Sequence, residues 1–146
     1  MKTLLLVQVA ATLMLTGLIW TIQIVHYPLF DGVGEEEFVE YHQRHNVQIT
    51  WLVVPLMLTE LLTAILMLGA RPPEIPIATV FLGLFLVAVI WLSTAFLQVP
   101  QHATLAEGFS SYAYQRLVFS NWIRTAAWTA RAALMIFFLA CILEGD

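Results

Sequence analysis

Four long apolar runs, joined only by short polar connections, leave this chain little choice of fold. A helix needs roughly 20 residues to cross a hydrocarbon core of ~30 Å, and residues 4–25, 47–68, 77–99 and 117–143 all meet that length. Each run reads as a spanning helix. The expected fold is therefore all-α: an integral membrane four-helix bundle, antiparallel and up-down-up-down, in a single domain over 1–146. Composition agrees, since the chain is 60% hydrophobic and 11% charged, with a mean hydropathy of +0.83. No internal repeat, low-complexity tract or Ser/Gly linker marks a second domain.

The first run follows Lys2 and resembles a signal peptide, but it is too long and lacks a clear small-residue cleavage site, so it reads as a spanning helix. The connection Gly69–Pro76 holds one glycine and three prolines, which end one helix and let the next begin as its antiparallel neighbour. In the longer loop from Asp31 to Asn46, Gly32 and Gly34 break the chain. Glu35, Glu36 and Glu37 then suit a helix N-terminus, and Phe38, Val39 and Tyr41 give the segment an apolar side. A short amphipathic helix leading into the second span is expected there. Cys141 lies in the last apolar run, where it has no intrachain partner and reads as a packing residue.

Alternation of the spans places all four histidines, His26, His42, His45 and His102, on one membrane face. His42 and His45 are spaced i, i+3 and share a helix face. Neutral imidazole is a common ligand of copper, iron and zinc, so these histidines are the candidate ligands of a transition metal or, using two of them, of a haem. Polar stripes continue the site into the bilayer, with Gln98 on the third span and Asn121, Arg124, Trp128 and Arg131 on the fourth. Gln98, Asn121 and Arg124 are the candidate cofactor-binding residues. At about 1.5 Å per residue, Glu60 and Arg131 come to similar depth and are expected to form a buried charge pair. Arg124 has no acid at its own depth, so a ligand carboxylate, phenolate or propionate, or else a lipid headgroup reached by snorkelling, is its expected partner.

The stretches Val25-His26-Tyr27-Pro28, Phe96-Leu97-Gln98-Val99-Pro100-Gln101-His102 and Asn121-Trp122-Ile123-Arg124-Thr125 resemble those of small bacterial four-helix membrane proteins grouped as anthrone-oxygenase-like. The resemblance implies a four-helix membrane bundle whose polar end handles an aromatic or redox-active substrate. It does not imply the four histidines as ligands.

The chain has no Gly-rich phosphate loop, no GxSxG elbow, no HExxH motif and no basic patch for nucleic acid. Two functions are then expected in turn: a small membrane redox protein with a histidine-lined metal or haem site acting on an aromatic or quinone-like substrate, or a non-catalytic subunit or carrier. Its expected partners are the lipid bilayer, such a ligand, and a homo-oligomer or larger membrane complex. Its expected location is a bacterial inner membrane, with Lys2 favouring a cytoplasmic N-terminus and hence an extracytoplasmic histidine face.

Overall fold

In a computed structural model of the chain, which describes residues 1–145, the backbone is helical between short turns, and the described residues contain no strand. Helix α1 (Lys2–Thr21) runs on through a π-helical turn, Ile22–His26, and a 3-10 turn, Tyr27–Gly32. Helix α2 (Glu35–Ala70) follows, then α3 (Ile77–Ser93), which passes through a second π-helical turn, Thr94–Gln98, into α4 (Val99–Leu105). Helix α5 (Ser111–Gly145) completes the chain. The runs Lys2–Gly32, Glu35–Ala70, Ile77–Leu105 and Ser111–Glu144 are each long and apolar enough to cross a membrane.

The segment expected as a separate amphipathic helix is the first part of α2, which is unbroken from Glu35. After Gly34 no glycine or proline occurs until Pro55, so nothing ends the helix between loop and span. Its opening glutamates lie where the helix dipole favours negative charge.

Each long helix has two principal neighbours: α1 and α3 both pack against α2 and α5. The bundle is thus antiparallel, with short connections between adjacent spans. Its apolar core falls into three clusters. Leu5, Val9, Met67, Val80 and Leu134 fill the end nearest the termini, and Leu15, Ile19, Met57, Ile90 and Trp128 fill the middle. Tyr27, Phe30, Phe38, Leu105 and Leu117 fill the histidine end. Large apolar side chains such as Leu62, Phe81, Phe85 and Ile136 point outward, as a lipid-facing surface requires.

Candidate functional site

Two polar layers alternate with the apolar ones. The deeper layer is built on Glu60 and Arg131, both 0% exposed. Glu60 Oε1 accepts from Arg131 Nε at 2.8 Å and from the Thr12 hydroxyl at 2.8 Å, while Oε2 accepts from Trp128 Nε1 at 3.0 Å. Arg131 Nη1 donates to the Gly83 carbonyl at 2.6 Å. A Cβ at Gly83 would lie 3.4 Å from that nitrogen and 3.3 Å from Leu134, so the missing side chain is what lets the guanidinium reach the backbone. Gln8 completes the shell in the amide orientation that its neighbours dictate, with its oxygen toward Arg131 Nη2 at 2.9 Å and its nitrogen toward the Thr63 carbonyl at 3.2 Å. With charge and hydrogen bonds met internally, this layer reads as a lock between helices and leaves no donor for a ligand.

The shallower layer holds the histidines. His26 Nε2 hydrogen-bonds with His45 Nδ1 at 2.8 Å, and His42 Nε2 with His102 Nδ1 at 3.0 Å. The rings of His42 and His102 stack with centroids 5.2 Å apart, and His45 lies 6.0 Å from His102 and 6.3 Å from His42. Phe30 packs edge-on against His26, His42 and His45 and fixes the spacing of the group. Asn46 Nδ2 lies 3.3 Å from His42 Nδ1, and the Tyr27 hydroxyl lies 3.0 Å from His102 Nε2. With the Asn46 amide as donor, both rings carry their proton on Nε2 and the chain runs Asn46, His42, His102, Tyr27. The Tyr27 oxygen is then an acceptor from His102, and its own O–H remains to donate.

Two backbone irregularities deliver these groups. The Tyr27 N–H bonds back five residues to the Ile22 carbonyl, and the Val99 N–H does the same to Thr94. In each case the next residue is a proline, Pro28 or Pro100, which lacks an N–H and crowds the preceding turn. Widening to a π turn accommodates it, and such turns are frequent at functional sites. They place Tyr27 and Gln98 inward. Gln98 is then held by Ser93 and Ser120, each at 3.0 Å.

Below the imidazoles a cavity of about 460 Å³ opens between α2 and the end of the third span. Tyr27, His45, Asn46, Gln98, His102 and Arg124 form its polar head, and Val53, Met57 and Trp91 are among its apolar walls. Thr50 and Val54 on α2 and Val99 and Ala103 opposite are exposed at its rim, so it opens sideways toward lipid. On the other side of the cluster a polar basin of about 440 Å³ is lined by His26, Glu37, Glu40, Arg44 and His45. His45 lines both spaces and stands between them.

Arg124 is only 6% exposed. Its guanidinium lies over Trp128, 5.2 Å from the ring centroid, and faces the Tyr27 hydroxyl. Its Nε has no hydrogen-bond partner. Among the described residues, the ion pairs of arginines are Arg131 with Glu60 and the exposed Arg44 with Glu40.

The structure therefore brings His26, His42, His45 and His102 into one cluster with Gln98 and Arg124 beside it. Asn121 sits behind the cavity wall, where it donates to Gln23 Oε1 at 2.8 Å. Sequence reasoning missed Tyr27 and Asn46 as hydrogen-bond partners of the imidazoles, whereas Trp91, expected as an apolar wall, does line the cavity. The proline following Tyr27 was the available signal, since it marks a change of helical phase. The imidazoles meet in pairs, and among the described residues no set of three or more His, Cys, Asp or Glu side chains is arranged around a common point that would hold a metal ion. Comparison with protein-family models, with curated proteins and with solved structures gives no match for this chain.

Proposed function

We propose that this chain is a small membrane redox protein whose imidazole cluster caps a cavity for an aromatic or quinone-like molecule, and that the cluster takes up one transition metal ion. The observation that carries this reading is the meeting of four imidazoles nitrogen to nitrogen at the head of a cavity open to lipid. Ligand bonds of about 2.0–2.1 Å put neighbouring nitrogens of a tetrahedral site roughly 3.3–3.4 Å apart. The paired nitrogens, at 2.8 and 3.0 Å, need to open by only a few tenths of an ångström, with a turn of the rings to bring a third donor to the same point. A haem fits less well, because its axial nitrogens must lie on opposite sides of a porphyrin plane and these rings touch directly. Copper or iron held by His26, His42, His45 and His102 would supply one-electron chemistry.

The protein's own groups would do the rest. The apolar walls exclude water around the substrate. Tyr27 and Arg124 present donors to an oxygen at the cavity head. Quinone reduction consumes protons as well as electrons, and the imidazoles lie between the polar basin and the cavity, where a proton can pass.

The test is elemental analysis and a visible spectrum of protein purified in detergent without added metal. Near-stoichiometric copper or iron, lost in His45→Ala and His102→Ala, is the expected result; zinc, which is redox-inactive, would uphold metal binding but overturn the redox role. A colourless, metal-free protein with an intact fold would overturn metal binding and favour the cluster as a proton-passing element of a carrier or of a larger complex.

A further inference from the structure

We infer that the lateral cavity binds the carboxylate of a lipophilic acid drawn from the bilayer, with Arg124 as the charge partner. The inference rests on the reading of the cavity as a substrate site, narrows its aromatic or quinone-like ligand to one that carries a carboxylate, and is independent of whether the imidazoles hold an ion.

Charge is the first argument. An arginine within a spanning segment costs about 2.5–3.5 kcal/mol on insertion scales, and such groups are normally paired. The arginine at the deeper layer is paired with Glu60 at 2.8 Å, whereas Arg124 has no ion pair among the described residues and is 94% buried, on its 6% exposure. Its Nε–H lacks an acceptor although the residue lines a cavity. The protein supplies the cation and the space but not the anion.

The donor set is the second argument. Beside the guanidinium stands the Tyr27 hydroxyl, 3.0 Å from His102 Nε2; in the tautomer with Asn46 as donor it accepts from His102 and keeps its own O–H to donate. A planar guanidinium edge with a neighbouring hydroxyl suits a carboxylate, which accepts at two oxygens. A neutral carbonyl would use the hydrogen bonds but leave the charge uncompensated.

Shape is the third. The head group lies at the histidine end, and the walls toward Val53, Met57 and Trp91 are apolar. The exposed rim of Val54 and Val99 faces lipid, so a ligand reaches Arg124 without leaving the membrane. About 460 Å³ suits a single small amphiphile. A phospholipid, with its two chains and glycerol phosphate, would have to leave most of its bulk outside.

With the exposed Trp20, Trp51 and Trp122 replaced by phenylalanine in every protein compared, quenching of the remaining tryptophan fluorescence, to which Trp91 on the cavity wall contributes, reads occupancy. Full-length protein in a non-ionic detergent with a chelator present would be titrated with a bromine-labelled fatty acid and, in parallel, with its methyl ester. The acid should bind at least about tenfold more tightly than the ester, the size expected for a charge-assisted hydrogen bond. Arg124→Gln should erase that difference, and Val54→Phe, which fills the rim from an exposed position, should weaken both ligands about tenfold or more. Equal binding of acid and ester to the protein that keeps Arg124 and Val54 would overturn the inference, even if Arg124→Gln fails to fold. So would undiminished quenching in Val54→Phe. A copurified anionic phospholipid that the acid cannot displace would also overturn it and make a headgroup the occupant. Metal content measured on chelator-free portions of the same preparations separates the two readings: an ion without an acid preference refutes only this one, and an acid preference without an ion refutes only the metal.

Discussion

At the scale of the residue, the two buried arginines are held in opposite ways. Arg131 is satisfied by Glu60, Gly83 and Gln8, and its acid is satisfied in turn by Thr12 and Trp128. Breaking such a pair from one side strands a buried charge and costs about 3–5 kcal/mol, whereas replacing both partners by apolar residues costs far less. Glu60→Gln should therefore lower unfolding stability in detergent by several kcal/mol, and adding Arg131→Met to Glu60→Met should recover much of the loss. If the double variant is as unstable as the sum of the single ones, the pair is not a coupled unit. Arg124 has no such internal partner, so Arg124→Gln should be milder in the same assay. Tyr27 separates function from stability in another way: it is 3% exposed, and Tyr27→Phe keeps the ring in its apolar layer. That variant should stay folded while ligand affinity at the cavity falls by about three- to tenfold, the worth of one hydrogen bond, measured by the same quenching titration.

The prolines decide matters at the scale of the element. Pro28 and Pro100 each follow a residue whose N–H reaches back five positions instead of four. The wider turn changes the direction in which every later side chain points, so His102 owes its contact with His42 to the π turn before it. Pro100→Ala restores a donor and permits an ordinary α-helix. Helix content by circular dichroism should be unchanged, whereas the stacked contact of His42 with His102, at 5.2 Å, should be lost. The check is metal or ligand binding, expected to fall at least as far as in His102→Ala. Normal binding by Pro100→Ala would show that the π turn does not set the register. A simple helical count from the sequence places Asn121, on the unbroken helix α5, with the site. In the fold it serves Gln23 instead.

For the whole molecule, an even number of spans fixes the termini relative to each other. With Lys2–Gly32, Glu35–Ala70, Ile77–Leu105 and Ser111–Glu144 as successive crossings, both ends must lie on the membrane face opposite the histidines. Reporter tags placed at either terminus should report the same compartment, and a cysteine introduced at exposed Glu36 should label from the other side. Opposite locations for the two tags would rule out this topology. The loops carry too few Lys and Arg to make the positive-inside rule decisive, so the side on which the histidines stand is read directly from this labelling. Helices α1 and α3 each pack against both α2 and α5, and the lateral cavity opens between α2 and the end of the third span.

Sequence by itself determined the helices and their order, because apolar runs of spanning length in a medium without hydrogen-bonding partners permit little else. It also put the histidines on one face, since alternation of spans follows from counting. Counting at a fixed rise brought Glu60 and Arg131 to one depth because both lie on regular helix between the irregular turns. What only the tertiary structure decided was side-chain direction near the prolines: Tyr27 against His102 and Gln98 toward the cavity. Those directions depend on i→i+5 turns and on how far α2 stands from the end of the third span. Neither is encoded in a hydropathy pattern, because each results from neighbouring helices settling against one another.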